Sequence, residues 1–292
     1  MKIAIYGKKV ADIYIANIQF LFDELKRKGI TMSIDANFHD YLKQKNISFE
    51  DNIALFNDSE ELGKVDYLIS IGGDGTFLET IVLVRDSNIP VLGINTGRLG
   101  FLSNVKTDEI AQAIDALINK AYDIDERSML SIEADNFDFG ANNYALNEIT
   151  LHRTDSSTMI TVHTYLDDEF LNSYWADGLI ISTPTGSTAY SLSCNGPILL
   201  PDSENIIITP IAPHNLNVRP LVINDEKVLK IQIDARSENY VVALDSRSYS
   251  LPLDATLKIT KTPHTIKLIR LNNHTFLTTL RSKLMWGIDK RN

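Results

Sequence analysis

The sequence predicts an α/β N-terminal domain with a Rossmann-like parallel sheet, then an all-β C-terminal domain, with a C-terminal tail that packs back on the first domain. Three patterns support this fold class. Short strand-like runs alternate with amphipathic helical runs in the first part of the chain, which is typical of a parallel sheet covered by helices. Short strands at regular spacing follow, as in β-sandwiches. Apolar residues at helical spacing then predict a terminal helix.

The first domain is expected to span residues 1–122. One helix is predicted from apolar residues at helical spacing, with Gly29 as its stop, and another from Thr107, a good helix-start residue. A third follows the glycine-rich turn that ends the third strand. The predicted strands are 2–6, 31–36, 67–71 and 90–94, and the predicted helices are 18–25, 77–85 and 107–120.

The second domain is expected to span residues 123–270, and residues 271–292 are expected to return to the first domain. Alternating apolar residues predict a hairpin with a turn at Asp167-Asp168 and a partner strand from Phe170 onward. The terminal helix is predicted from Phe276, Leu277, Leu280 and Leu284. The predicted strands are 160–166, 228–234, 240–245, 257–262 and 266–271.

Composition excludes several classes of function. The formal net charge of −10 disfavours a nucleic-acid binder, which needs clustered Lys and Arg. No apolar run approaches the roughly 20 residues of a membrane span, and the N-terminus lacks a signal-peptide core. The single cysteine, Cys194, fits a reducing compartment, so the protein is expected to be cytoplasmic. An acidic protein that binds phosphates must hold them with backbone N–H groups, helix N-termini and a divalent cation.

The turn Gly72-Gly73-Asp74-Gly75-Thr76 joins a predicted strand to a predicted helix. Exposed backbone N–H groups and the positive end of the helix dipole suit an anion there. An Asp among phosphate-binding glycines repels the ligand unless it binds a cation or accepts a proton from an attacking hydroxyl, and both are roles in phosphoryl transfer. The alternative is that Asp74 or Thr76 merely caps the helix. Taken alone, the turn supports the two interpretations equally.

A second glycine-rich turn, residues 95–100, follows the next predicted strand. It should lie beside the first turn, because ligands collect at the carboxyl ends of parallel strands. Arg98 can contact a phosphate there, and a solvated surface arginine is at least as good an interpretation.

Residues 177–193 join a buried strand to a loop rich in small hydroxyl side chains, which suits a pocket for a sugar or a flat base. Tyr190 offers a stacking face, and Asp177 can accept hydrogen bonds from an amide or a ribose hydroxyl. Asn147-Glu148 interrupts an apolar strand, so at least one of the two points inward and needs a partner. The amide can pair with an adenine edge and the carboxylate with ribose hydroxyls, and a structural hydrogen bond or an edge-strand position explains both comparably well. The six histidines lack metal-ligand spacing, and no metal-ligating residue is assigned.

Together these motifs closely resemble the NAD kinase family over nearly the whole chain. The resemblance includes the Gly72–Thr76 turn, residues 93–102, Asn147-Glu148, the Thr-Pro-Thr-Gly-Ser-Thr-Ala-Tyr loop, residues 219–224 and Lys283-Leu284-Met285-Trp286. The first motif is shared with lipid kinases and phosphofructokinases, whereas the hydroxyl-rich loop is highly specific.

The resemblance implies transfer of the ATP γ-phosphoryl group to the 2′-hydroxyl of the adenosine ribose of NAD, with Mg²⁺ or another divalent cation and a homodimer or homotetramer. Asp74 would be the proton acceptor or a cation-linked carboxylate, with Gly73 and Gly75 against the phosphates. Asn147 and Glu148 would contact the adenosine half, and Asp177 the nicotinamide half. Thr188, Ala189, Tyr190, Ser191, Leu192, Ser193 and Ala212 would line the dinucleotide site.

The chain departs from the family pattern at three places. Trp175 stands where many members have a cationic residue, so a polar contact to the substrate becomes a packing one. Arg247 replaces the usual Gln, and Cys194-Asn195 replaces smaller residues. The choice between NAD and NADH therefore stays open. Two rival functions are a lipid or sugar-phosphate kinase of the same superfamily and a non-catalytic nucleotide sensor, which would not need Asp74.

Overall fold

The computed structural model describes residues 1–50, 52–97, 100–155, 158–271 and 274–286. The chain divides into two compact units: residues 1–126 together with the C-terminal segment from Ile266 onward, and residues Arg127–Thr265. None of the helices within the described ranges has the length and apolar character needed to cross a membrane. The predicted fold class is confirmed: a mainly parallel α/β sheet, antiparallel sheets, and a C-terminal segment that belongs to the first unit.

Unit 1 is organised around a sheet of eight strands in the order β3-β2-β1-β4-β5-β20-β7, with β6 paired to β5. The central strands are parallel and buried on both faces, which explains why they are almost wholly apolar. The strands are β1 Lys2–Gly7, β2 Thr31–Asp35, β3 Ala54–Phe56, β4 Tyr67–Ile71, β5 Val91–Asn95, β6 Val105–Lys106, β7 Asp123–Arg127 and β20 Ile266–Arg270.

Helices cover this sheet with their apolar sides. In α1 the buried residues Ile18, Leu21, Phe22 and Leu25 fall at helical spacing, and the chain turns at Gly29, whose φ is +68°. The predicted helix stop is confirmed. The helices are α1 Ile15–Arg27, α2 Ala36–Gln44, α3 Ser59–Leu62, α4 Asp74–Val84, α5 Ile110–Asn119 and α7 Phe276–Leu284.

Strand β20 lies in a different sheet from the one that its sequence suggested. It pairs parallel to β5, with Leu268 opposite Val91. It therefore does not join the antiparallel sheets formed by the strands that precede it in sequence. A short apolar run does not reveal whether its partners are parallel or antiparallel, because both arrangements bury it.

Unit 2 consists of two antiparallel sheets, in the orders β15-β14-β13-β10-β17-β18 and β12-β11-β16-β19-β8-β9. Apolar side chains from both sheets form one core, as in a β-sandwich. The strands are β8 Leu130–Ala134, β9 Tyr144–Ala145, β10 Glu148–Arg153, β11 Ile160–Leu166, β12 Glu169–Ala176, β13 Gly178–Ser182, β14 Asn205–Ile211, β15 Leu221–Asn224, β16 Leu229–Asp234, β17 Asn239–Leu244, β18 Arg247–Pro252 and β19 Leu257–Lys261. The single α-helix in the described part of this unit, α6 Tyr190–Ser193, follows a 3₁₀ turn at Thr185–Thr188.

Candidate active site

The glycine-rich turn of unit 1 lies at the carboxyl end of β4. Gly72 and Gly73 carry the chain from the strand into α4, which begins at Asp74. A Cβ atom placed on Gly73 or Gly75 would have no atom within 4 Å, and both residues are exposed. The first turn of α4 is therefore open to solvent on the side where its backbone N–H groups and positive dipole end favour an anion.

Asp74 does not cap helix α4, because Gly73 occupies the N-cap position. Its carboxylate instead accepts three backbone hydrogen bonds from the second glycine-rich turn. Phe101 N–H donates to Oδ2 at 2.8 Å, and the N–H groups of Leu102 and Ser103 both donate to Oδ1 at 3.0 Å. Gly100 lies so close that a Cβ there would be 1.8 Å from Oδ1. The alternative that Asp74 serves only as a helix cap is wrong.

These hydrogen bonds leave Asp74 with limited free capacity. A carboxylate offers about four acceptor positions, two on each oxygen. Oδ1 uses both of its positions and Oδ2 uses one, so a single position remains on Oδ2. Asp74 is half-buried, and this position is the one through which it can meet a hydroxyl or a cation.

The second glycine-rich turn is held by Asn95, the last residue of β5. Its side-chain amide donates to the Ser103 carbonyl at 3.2 Å, and its Oδ1 accepts from Gly97 N–H at 2.8 Å. The prediction that the two turns lie together is confirmed through Asp74. Arg98, the candidate phosphate contact, lies outside the described residues.

In unit 2 the hydroxyl-rich loop is fastened to the segment before β10. Thr183 N–H donates to the Asn147 carbonyl at 2.9 Å, and Thr183 Oγ1 donates to the Leu146 carbonyl at 2.5 Å. A Cβ on Gly186 would lie 2.1 Å from the Asn147 carbonyl oxygen, so only glycine fits there. Part of the loop's polar character therefore serves to hold its own shape.

Asp245 supports the same segment from its other side. Leu146 N–H donates to Oδ2 at 2.9 Å, and the N–H groups of Asn147 and Glu148 donate to Oδ1 at 2.8 and 3.2 Å. Arg247, one of the departures from the family pattern, donates to the carbonyls of Asn142 and Tyr144. These two hydrogen bonds give Arg247 a structural role.

Glu148 is a buried acid with an incomplete set of partners. Its residue is 9% exposed, and Oε2 is buried without a hydrogen-bond partner. Burial, followed by repulsion from Asp245, raises the pKa of Glu148 to about 8, although a hydrogen bond from the Tyr190 N–H opposes the rise. The neutral form is favoured at pH 7, so this side chain can donate a hydrogen bond as well as accept one.

Tyr190 lies near Glu148, which is predicted to contact the adenosine half, and near the residues around Asp177, which is predicted to contact the nicotinamide half. Tyr190 is 37% exposed, and its ring stacks on His152, with ring centroids 5.8 Å apart and an interplanar angle of 10°. His152 lies opposite Gly178 in the sheet, and Gly178 follows Asp177. Asp177 is half-exposed and forms an ion pair with Arg153 at 3.0 Å, which leaves Oδ1 for another donor.

Trp175 and Ala212 continue this row of residues. Asp177 N–H donates to the Ile211 carbonyl at 3.0 Å, which brings Ala212 beside the Asp177 backbone. Trp175 is 49% exposed and contacts the His214 ring at a centroid distance of 4.9 Å. Trp175 and His214 thus form an aromatic pair at the position where many members of the family that the sequence resembles have a cationic residue.

The remaining predicted loop residues differ in exposure. Thr188 and Leu192 are half-exposed, as is Ala189, and Ser193 is exposed. Ser191 is buried, and its hydroxyl lies 2.8 Å from that of Thr209, so it anchors α6 to β14.

Sequence reasoning missed four residues that support the candidate site residues: Phe101 in unit 1, and His152, Arg153 and Asp245 in unit 2. Phe101 lies within the motif at residues 93–102, but nothing near Asp74 or Asn147 in sequence indicates Phe101 or Asp245 as a partner. His152 and Arg153 belong to none of the motifs. The cross-strand pairing of β10 with β13, which sets His152 opposite Gly178, would have placed both residues beside Asp177. Among the described residues, no group of three or more His, Cys, Asp or Glu side chains can hold a metal ion.

Comparisons with known proteins agree on one family. Family models of the ATP-NAD kinase N-terminal and C-terminal domains match residues 10–122 and 146–271. The chain is 47% identical to the NAD kinase of Cytophaga hutchinsonii and 48% identical to that of Flavobacterium psychrophilum, with all of both chains covered in each case.

Two solved structures have similar folds. A yeast NADH kinase in complex with NADH matches with a TM-score of 0.88 at 23% identity, covering 99% of this chain and 88% of that one. An NAD kinase of Archaeoglobus fulgidus in complex with ATP matches with a TM-score of 0.74 at 25% identity, covering 98% of this chain and 99% of that one.

We predict that Glu148 makes the protein less stable as the pH rises. Between its ordinary pKa of 4.5 and the folded value of about 8, the folded chain keeps a proton that the unfolded chain has released. The free energy of unfolding should therefore fall through this window, by up to about 1.4 kcal/mol per pH unit. In Glu148→Gln this component should be absent. Urea denaturation of both proteins from pH 5 to pH 8 measures the difference, and parallel pH profiles would contradict the prediction.

We also predict that Gly186→Ala loosens the hydroxyl-rich loop, because the added Cβ collides with the Asn147 carbonyl. Overpacking of this kind costs about 1–3 kcal/mol. Gly97→Ala is the matched control, since the nearest atom to its Cβ would be 4.0 Å away. Thermal unfolding should show a lower Tm for Gly186→Ala alone, and an equal Tm for the two variants would refute the close contact.

Proposed function

The chain belongs to the ATP-NAD kinase family, and from this premise we propose the residues through which it carries out the family's reaction. The reaction transfers the γ-phosphoryl group of ATP to the 2′-hydroxyl of the adenosine ribose of NAD and yields NADP and ADP. The observation that carries the assignment of roles is the single free acceptor position on Asp74 Oδ2.

Asp74 is the proton acceptor for the attacking hydroxyl. The ribose 2′-oxygen forms a bond to the γ-phosphorus while the bond from that phosphorus to the β,γ-bridging oxygen breaks, and ADP leaves with the bond's electrons. The proton of the 2′-hydroxyl passes to Asp74 Oδ2. Three N–H donors fix the orientation of the carboxylate, so the free position has one direction in which to act.

A divalent cation would arrive with the phosphates of ATP and would stabilise the charge on them during transfer. Mg²⁺ is commonly bound by one or two carboxylates and the substrate's phosphates, without a cage made only of protein groups. Gly73 and Gly75 leave room for the phosphates at the start of α4. Backbone N–H groups there do the work that a basic patch does in other phosphate sites.

Unit 2 residues bind the dinucleotide. Asn147 and neutral Glu148 contact the adenosine half, where the Glu148 carboxyl, whose pKa is raised to about 8, donates to or accepts from a ribose hydroxyl. Asp177, held by Arg153, accepts from the nicotinamide carboxamide. Tyr190 and the neighbouring residues of its loop line the site, and Trp175 and Ala212 form its apolar end. The neighbours that line it are Thr188, Ala189, Leu192 and Ser193, with Ser191 holding the short helix from behind.

We expect Asp74→Asn to lower turnover by about 10²- to 10⁴-fold with little change in the KM for NAD, because it removes a base and leaves the dinucleotide contacts in place. The measurement is NADP formation from NAD, ATP and Mg²⁺ by the purified protein, in a coupled assay.

Asp66→Asn is the matched control for this substitution. Asp66 precedes β4, whereas Asp74 follows it, and its carboxylate accepts only a backbone hydrogen bond from Lys2 at an exposed position. The control should keep the wild-type rate. Full activity in Asp74→Asn would refute the assigned role, whereas no NADP from the wild-type protein with any phosphoryl donor would favour a sensor that binds nucleotides without catalysis.

The protein is a cytoplasmic homo-oligomer, either a dimer or a tetramer. Support for its location comes from the single cysteine and the lack of a long apolar run. Support for assembly comes from exposed apolar side chains in unit 2, among them Leu216 at 87% exposure and Val222 at 40%. Light scattering after size-exclusion chromatography should give two or four times the chain mass of 32.8 kDa, and a monomer would contradict the proposal. A Leu216→Asp variant should shift the population toward monomer, whereas Asp108→Asn, on unit 1, should not.

A further inference from the structure

The position of Asp74 depends on one aromatic residue of the second glycine-rich turn. Phe101 donates its backbone N–H to Oδ2, the oxygen that retains the free acceptor position. The other two donors, Leu102 and Ser103, bind only Oδ1. A movement of Phe101 would therefore remove the hydrogen bond that orients Oδ2, and the carboxylate would be held only through Oδ1.

The ring of Phe101 is held by the C-terminal helix. Its centroid lies 5.9 Å from that of Phe276, and the two planes meet at 39°. The ammonium group of Lys283 lies over the same ring, 5.2 Å from the centroid. Offset aromatic pairs and cation–π pairs at such distances are attractive. Both contacts come from α7, so one helix fixes the side chain whose backbone fixes Asp74.

Helix α7 is itself built to stay in place. Phe276, Leu280 and Lys283 follow the i, i+4, i+7 spacing of one helix face, and Leu280 is 5% exposed. Thr275 caps the first turn, with its Oγ1 accepting from Thr278 N–H at 3.1 Å. Leu277, on another face, is 52% exposed. The inner face contacts the turn at Phe101, and the outer face is left to solvent.

The strand before α7 is connected to the same turn. β20 pairs with β5, and β5 ends at Asn95, whose amide donates to the Ser103 carbonyl. The described C-terminal segment is thus connected to the turn that holds Asp74 in two ways, through β20 in the sheet and through α7. Packing of α7 against the sheet would not by itself require Phe276 or Lys283 to contact the Phe101 ring.

We propose that helix α7 positions the reacting oxygen of Asp74 through Phe101, which makes Phe276 and Lys283 positioning residues for phosphoryl transfer. The proposal rests on the assignment of Asp74 as the proton acceptor. A misplacement of about 1 Å in a reacting group can cost on the order of 10²-fold in rate. Loss of the ring contact should therefore lower kcat and leave substrate binding nearly unchanged.

Steady-state kinetics of the full chain test the proposal, with NAD and Mg–ATP varied in turn. In Phe276→Ala, kcat should fall by about 10- to 100-fold while both KM values stay within about 2-fold of wild type. Phe276→Tyr keeps the aromatic contact and should restore most of the rate. Leu277→Ala is the matched control on the exposed face and should match wild type. Rises in KM with an unchanged kcat, or no rescue by tyrosine, would overturn the proposal.

Lys283 gives a second variant that leaves the apolar packing of α7 intact. In Lys283→Met, kcat should fall by on the order of 2- to 5-fold, and Lys283→Arg should retain activity because it keeps the cation over the ring. If Phe276→Ala does not fold, these two variants decide the matter. Equal kcat values in wild type, Lys283→Met and Lys283→Arg would then overturn the proposal.

A double-mutant cycle separates this proposal from the assignment of Asp74. Single-turnover NADP formation is measured for Asp74→Ala, Phe276→Ala and the pair. If α7 acts through Asp74, the Phe276 substitution has little further effect once Asp74 is absent. A normal rate in Asp74→Ala would refute the proton-acceptor role itself. A low rate in Asp74→Ala with a multiplicative loss in the pair would keep that role and overturn the action of α7 through it.

Discussion

Both units depend on the same physical interaction, a carboxylate that gathers three consecutive backbone N–H groups from a distant loop. Asp74 binds the N–H groups of residues 101–103, and Asp245 binds those of residues 146–148. Charge-assisted hydrogen bonds of this kind are about twice as strong as neutral ones. Each also satisfies backbone donors that the fold would otherwise leave without partners. The second glycine-rich turn and the segment that leads into β10 are thereby each given one fixed conformation.

This interaction also explains how a chain with a net charge of −10 handles a phosphorylated ligand. Three backbone N–H groups stabilise the carboxylate of Asp74, which suits the proposed place of this residue beside phosphates without a clamp of basic side chains. The exposed glycines at the start of α4 supply further N–H groups. The groups that favour an anion are thus backbone N–H dipoles. The fold holds them in place, so no side-chain entropy is lost in orienting them.

The sequence predicted the fold class and the motifs because these depend on local patterns: period-2 and helical spacing, glycine turns and a hydroxyl-rich loop. It did not predict the partners of those motifs. Nothing near Asp74 in sequence indicates Phe101, and nothing near Asn147 indicates Asp245, because these contacts are set by sheet order. β20 shows the same limit, since its apolar run fits either sheet and its parallel pairing with β5 decides its place. The sequence also suggested that Glu148 would act as a carboxylate, and burial beside Asp245 favours the neutral acid.

The number of N–H donors that each acid receives determines what it can do for a ligand. Burial raises the pKa of both Asp245 and Glu148, but three backbone hydrogen bonds oppose the rise at Asp245 and only one opposes it at Glu148. Glu148, whose pKa is raised to about 8, therefore holds a proton at neutral pH, while the Asp245 side chain accepts the three backbone N–H groups. Glu148 becomes the member that can donate to a sugar hydroxyl. Asp74 differs from both, because its three donors leave one acceptor position open in a half-exposed place. In the roles proposed above, the same residue chemistry yields a structural anchor, a hydrogen-bond donor and a proton acceptor, and the backbone around each decides which.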